Sequence, residues 1–522
     1  MDHITANPKE RRDPLRHPWS KCITVGRAYE LLRADLQQHL RFLKKELDFT
    51  YIRFHASFHD DVGVVQRDSD GGLRFRWTQL DHIYDFLVDA GFDPIVEINP
   101  MPQALASGEQ KMFWYGMNVT PPASYDEWEQ FIGAWVAHIV ERYGLDCVRR
   151  WYFEVWNEPD LSGFWSSTME EYYRLYASCA RVIKGFDSGL RVGGPATAGA
   201  IDQVLPFARW CRENNVPVNF LSYHNYPQNE VGAYPEQSES PHRPGMFFVD
   251  RVRETKRRLQ DEGYGDLPLF MTEWNTQAQN TDWQARWVGN EHVNDLFSGA
   301  AVCHLAHGCD EALDMMGFWV ASDVFEEGGP QLEPYGNRYQ YYGMLSVDGT
   351  PKASYHAFSF LNRLRGPRYA LTLPDNLPVT RGVVVTDERS VTRALVWNCA
   401  FPTDEATEWT LSVSLPVPRT ASARSQLRLT IATVREGQGS AWEFWKAMGA
   451  PPTLTQTEHK ALAARALPAW SSVMMPVTDG KVTLELALKP NEFAFVELGG
   501  DVEGAAADHS AAMQALNQQL MT

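Results

Sequence analysis

Between about residues 21 and 365 the chain alternates, eight times over, a short apolar run with a longer stretch of helical periodicity. The runs are 21–25 (KCITV), 50–55 (TYIRFH), 94–98 (PIVEI), 150–156 (RWYFEVW), 190–194 (LRVGG), 219–224 (NFLSYH), 267–273 (LPLFMTE) and 315–320 (MMGFWV). Rich in Val, Ile, Phe and Tyr and bounded by Gly, Pro or Asn, they read as strands covered on both faces. Helical patterns fall between them, near 27–47, 77–90, 125–143, 168–185, 247–261 and 290–306. In 125–143 the residues Trp128, Phe131, Ile132, Trp135, Val136, Ile139, Val140 and Tyr143 follow the i, i+3, i+4, i+7 rule. Ser124 and Glu127 stand ahead of them at capping-box spacing. Eight strand–helix units predict an α/β fold, a (β/α)8 TIM barrel over residues 21–365. A doubly wound sheet would carry a glycine-rich phosphate turn after its first strand, and this chain has none there.

Beyond 365 the pattern changes to short alternating runs at 369–373, 381–386, 391–398, 408–414, 427–433, 482–488 and 493–498. Val482, Leu484, Leu486 and Leu488 share one face, the mark of a half-buried antiparallel strand. These runs predict an accessory antiparallel β-sandwich domain over 366–500, with residues 1–20 packing with it. Residues 436–472, rich in Ala, Gly and Pro, read as a long insertion or loop. The Ala- and Gln-rich residues 501–522 read as a weakly helical or disordered tail.

Composition narrows the function classes. Forty-eight Lys and Arg against 66 Asp and Glu give a formal charge of −18, which repels phosphate backbones and anionic membranes. Neither nucleic acid nor membrane is expected as a partner. Seven scattered cysteines fit reduced thiols better than a disulfide framework. With no apolar stretch near the start and no run of about 18 apolar residues, a cytoplasmic location is expected. Cys303, His304, His307 and Cys309 lack paired CxxC spacing, so they read as buried helix residues and not as a metal site.

In such a barrel the chemistry lies where strands end at the C-terminal face. The fourth run ends Trp156-Asn157-Glu158-Pro159 and the seventh ends Thr272-Glu273-Trp274-Asn275. Each puts a carboxylate at the barrel mouth, and two carboxylates of unequal pKa can cleave a glycosidic bond: one protonates the leaving oxygen, the other attacks the anomeric carbon. Asn157 is placed to bond the sugar 2-hydroxyl. His224 and Tyr226, ending the neighbouring sixth run, are placed to orient Glu273.

These motifs resemble the glycoside hydrolase family 39 β-xylosidases. The matching stretches, in order, are Gly26-Arg27-Ala28, Tyr51-Ile-Arg-Phe-His55 with Phe58-His-Asp-Asp61, Trp156-Asn-Glu-Pro159, Ser222-Tyr-His-Asn-Tyr226, Thr272-Glu-Trp-Asn-Thr276 and Ser322-Asp-Val-Phe-Glu-Glu327. The resemblance implies a retaining exo-β-1,4-xylosidase acting on short xylo-oligosaccharides, with Glu158 as acid/base and Glu273 as nucleophile. It also implies that His55, Glu326 and Glu327 bind sugar hydroxyls. Trp274 and Trp319 are expected to wall the pocket, and Phe113 and Trp114 to form its rim. No cofactor or metal is expected, and oligomeric state is not legible. Ala56, Asn225, Trp274 and the polar stretch Glu97-Ile-Asn-Pro-Met-Pro102 depart from the family pattern and bear on sugar preference. The alternatives are β-glucosidase, α-L-arabinosidase or α-L-iduronidase activity, or an inactive sugar-binding protein. An iduronidase needs basic residues for a uronate, whereas the loop after the eighth run carries Asp323, Glu326 and Glu327.

Overall fold

The computed structural model describes residues 2–227, 244–276, 291–329, 342–373, 382–387, 391–401, 407–418 and 421–499. Eight parallel strands close into a barrel in chain order: β1 (Cys22–Arg27), β2 (Tyr51–His55), β3 (Asp93–Glu97), β4 (Tyr152–Glu154), β5 (Arg191–Thr197), β6 (Phe220–Asn225), β7 (Leu269–Trp274) and β8 (Met315–Phe318). A helix follows each strand: Ala34–Leu47, Thr78–Asp89, Tyr125–Tyr143, Met169–Phe186, Ala200–Glu213, Pro244–Asp261, Leu296–Cys309 and Ala353–Asn362. Each apolar run is buried on both faces because the barrel interior lies on one side and the helical ring on the other. Helix Tyr125–Tyr143 buries Trp128, Phe131, Ile132, Trp135, Val136 and Ile139. Its Ser124 cap accepts from the Glu127 N–H. The reciprocal half of the box is absent, because the Glu127 carboxylate pairs with Arg67 instead.

The accessory strands form one sheet of ten, nine of them on a hydrogen-bonded path running from Gly439–Ser440 to Lys481–Leu488. Strand Asp2–Arg12 lies inside it, antiparallel to Arg368–Thr372 and parallel to Trp409–Pro416. Ile4, Val396, Leu411, Leu429, Leu484 and Val496, drawn from both ends of the path, share one buried cluster. A sheet folded over into two layers gives that pattern. Residues on the opposite face, Leu395, Trp397, Phe493 and Phe495, belong to the barrel's own core.

Residues 436–472 correct the sequence reading. They hold helices Trp442–Ala447 and Gln456–Arg465, the latter with a complete Thr455/Glu458 capping box, and strand Ala469–Pro476 paired to Gln426–Glu436. Trp442, Trp445, Leu462 and Ala466 form a small core of their own with Val293. The strand was not legible because Ser471 to Met474 are exposed on both faces, so no period of two appears. The 501–522 tail lies outside the described residues.

Barrel and sheet meet closely at Gly299, where a Cβ would stand 2.5 Å from the Phe493 ring and 2.8 Å from the Ala353 carbonyl oxygen. Gly299→Ala is therefore expected to destabilise the fold by about 1–3 kcal/mol, as overpacking does. Thermal unfolding of the variant checks it, and an unchanged midpoint would show that the contact relaxes freely. Among the described residues no helix is long and apolar enough to cross a membrane. Cys22, Cys147, Cys179, Cys211, Cys303 and Cys309 form no disulfide, and Cys303 and Cys309 are core residues of helix Leu296–Cys309.

Candidate active site

The centre of the barrel mouth is Arg53, which points inward from β2 and is fully buried. Its Nε donates to Glu154 at 2.6 Å, Nη1 to Glu273 at 2.7 Å, and Nη2 to the Asn157 carbonyl oxygen at 2.9 Å. Glu97 lies 3.0 Å from Nη1 as a further ion pair, and His224 Nε2 lies 3.2 Å from Nη2. One guanidinium thus fixes groups from β3, β4, β6 and β7, which its rigid planar fork suits better than an ammonium.

The two expected carboxylates come together here. Among Glu158, His224 and Glu273, one ligating atom from each lies within 4.8 Å of the others. Glu158 reaches the mouth through a tightly folded backbone: Trp156 has φ 70° and Glu158 φ 45°, left-handed values uncommon for such residues. The Glu158 N–H donates to the Ala196 carbonyl (2.8 Å), and Trp156 Nε1 donates to the Phe164 carbonyl (2.8 Å). Glu273 is turned inward at a register shift in β7, which lets consecutive residues face the interior. Thr272 bonds Glu154 (2.9 Å), and the Tyr226 hydroxyl donates to Glu273 (2.9 Å).

Their environments drive the two pKa values apart. Burial raises that of Glu158, and the nearby Glu273 and Asp160 charges add to it, against an opposing hydrogen bond from His224. Burial would also raise Glu273, but His224, Arg53 and His55 outweigh it and hold the carboxylate down at about 2. Splitting a carboxylate pair this way yields one proton donor and one standing anion.

His55 at the end of β2 contacts Glu97 at 2.7 Å and lies 3.5 Å from Glu327 and 3.6 Å from Glu273. Burial alone would lower its pKa, yet these carboxylates, Glu97 foremost, push it up to about 10. Burial pushes Glu327 up to about 7, with His55 opposing. The polar end of β3 that departs from the family pattern thus has a use. Glu97 holds His55, and Asn99 bonds both Glu97 (2.9 Å) and the Ala56 N–H (2.7 Å).

A cavity of about 490 Å³ opens over these groups, lined by His55, Asn157, Glu158, Tyr226, Glu273, Trp319 and Glu327 among the expected residues, with Phe113 and Tyr342. Asn157 Nδ2 is buried with no hydrogen-bond partner among the described residues. Two expected substrate contacts, Glu326 and Trp274, lie elsewhere, and His224 takes the positioning place expected of it. Glu326 turns away and pairs with Arg27 (3.0 Å) and Arg33 (3.1 Å), because Arg27 also needs it beside Asp61. Trp274 follows an inward residue and so points outward, packing on Phe318 and Phe358. His224 sits behind the carboxylates, 2.9 Å from Glu158, where it positions and does not line the cavity. Trp114 is 53% exposed and outside the lining. Sequence reasoning missed Arg53, Glu97, Glu154 and Tyr342. For the first three the signal was a charged residue inside an apolar strand run.

Among the described residues two groups have metal-ligating spacing, His55/Glu97/Glu273 and Glu158/His224/Glu273. Both are already committed to Arg53 or to one another, so a cation there would compete with a guanidinium.

A barrel with paired, oppositely tuned carboxylates after β4 and β7 defines a glycosidase. The glycosyl hydrolases family 39 model matches residues 3–483, and the chain belongs to that family. It is 33% identical over 500 residues to a beta-xylosidase of Caldicellulosiruptor saccharolyticus, covering 95% of this chain and 98% of that one. Identity to a beta-xylosidase of Geobacillus stearothermophilus is 32% over 503 residues, covering 94% of each. The solved structure of a GH39 beta-xylosidase from Caulobacter crescentus superposes with a TM-score of 0.78 at 28% identity, covering 95% of this chain and 100% of that one.

Proposed function

We propose that the protein is a retaining exo-β-1,4-xylosidase that removes xylose from the non-reducing end of short xylo-oligosaccharides in the cytoplasm. The observation that carries this is the Glu158/Glu273 pair, whose oxygens approach within 4.8 Å. Retaining sites hold their carboxyl groups about 5–5.5 Å apart, too close for an interposed water. Glu158 gives its proton to the leaving oxygen while ionised Glu273 attacks the anomeric carbon and forms a glycosyl ester. Esterification removes the Glu273 charge, which lowers the pKa of Glu158, so Glu158 then takes a proton from the incoming water. Asn157 offers its Nδ2–H, unpartnered among the described residues, to the sugar 2-hydroxyl. Xylose as the sugar is supported by the two named relatives, matched over nearly their full lengths. A uronate is disfavoured because no Lys or Arg is among the described residues lining the cavity.

Proton NMR of the anomeric region during hydrolysis of an aryl β-D-xyloside tests the proposal. β-Xylose is expected first, followed by mutarotation; α-xylose first would overturn the retaining assignment. Glu158→Ala is expected to lose about 10²–10⁴-fold on alkyl xylosides, whose leaving group needs a proton, and far less on activated aryl ones. Protonated Glu158 is the active form and its pKa is raised, so the alkaline limb of activity lies above the ordinary carboxylate range. A wild-type pH–rate profile checks the position of that limb, and its loss in Glu158→Gln checks the assignment.

A further inference from the structure

The cavity is chemically divided. The half reached from β2 and β8 presents His55, Glu327 and Tyr342, polar groups suited to a sugar's hydroxyls. The other half begins at the acid/base itself. Residues directly after Glu158, Leu161 to Phe164, line it with Ala198, and Met112 and Phe113 lean on them from a hairpin. Phe113 and Phe164 rings meet edge to face at 5.4 Å, and Gln110 Nε2 donates to the Ser162 carbonyl at 2.9 Å. Because Glu158 must face the bond it protonates, this half holds the leaving group. Its polar supply is small. Asp160, two residues after the acid/base, is occupied by the Ala198 and Gly199 N–H groups (3.0 and 2.7 Å). Among the described residues Ser162 alone brings a side-chain hydroxyl or charge to that wall, while Leu161 stays 41% exposed at the mouth. A second sugar needs in-plane hydrogen-bond partners, whereas an apolar ring needs faces to lie against.

We propose that the leaving-group half of this site prefers an apolar, ring-bearing alcohol to a second sugar, both as aglycone and as acceptor. The proposal rests on the β-xylosidase reading above. In the acceptor direction the alcohol's O–H proton passes to the Glu158 carboxylate. Its oxygen bonds to the anomeric carbon as the Glu273 ester bond breaks, giving a β-xyloside and free Glu273 carboxylate.

The test is a partition experiment. The enzyme turns over 4-nitrophenyl β-D-xyloside in equal concentrations of 2-phenylethanol and D-xylose, and the transfer products are quantified. Because burying a ring of this size against apolar walls favours it over a hydrated sugar, phenylethyl xyloside should exceed xylobioses at least about tenfold. Leu161→Asn, at an exposed position, should reduce that ratio severalfold. Release of nitrophenol with a product ratio at or below one, or a ratio indifferent to Leu161→Asn, overturns this proposal alone. No release of nitrophenol at all overturns the β-xylosidase reading, and this proposal with it.

Discussion

Glu273→Gly should lower turnover of an aryl β-xyloside by at least about 10⁴-fold, the scale seen when a covalent nucleophile is removed. Because Arg53, His55 and Tyr226 all aim at the Glu273 carboxylate, the vacated space should accept a small anion. Added azide should therefore restore turnover and yield the α-xylosyl azide, formed in one inversion. The same anion with Glu158→Ala should yield the β-azide, since attack then falls on a glycosyl ester of Glu273. Product stereochemistry by NMR checks both, and exchanged outcomes would reverse the two roles.

Arg53→Met should cost both stability and activity. It leaves Glu97, Glu154 and Glu273 buried around a missing cation, and breaking a buried ionic network costs about 3–5 kcal/mol. It also withdraws one of the charges that hold Glu273 at about 2. The Glu273 pKa then rises, so the acid limb of kcat/KM should move to higher pH. Arg53→Lys keeps the charge but loses the fork, and should fall between Met and the native enzyme on both counts. A Met variant with an unshifted acid limb would mean that Arg53 does not tune the nucleophile. The linkage sign for stability agrees. Ion pairing of Glu273 contributes above its unfolded value near 4.5 and is lost as pH falls toward 2.

The barrel was legible because eight strand runs with helical gaps permit few other folds, and the Glu158/Glu273 pair because strand ends locate the mouth. What escaped the sequence depended on side-chain direction. Glu326 and Glu327 are adjacent, yet one faces Arg27 and the other the cavity, a choice made by distant residues. Trp274 reads like a pocket wall until the β7 register shift sends it outward. Arg53 could have been flagged, since a charge inside TYIRFH must meet opposite charges in the barrel, but its five neighbours come from four other strands and the turn after β4. The exposed strand Ala469–Pro476 carried no alternation to read.

The proposed double displacement requires a covalent sugar on Glu273. In Glu158→Ala an activated aryl xyloside should still glycosylate Glu273, while removal by water lacks its base, so the intermediate accumulates. Proteolysis and mass spectrometry of that protein should find one anhydropentose on the peptide containing Glu273. A sugar on any other peptide, or no adduct alongside a full burst of released phenol, would contradict the mechanism.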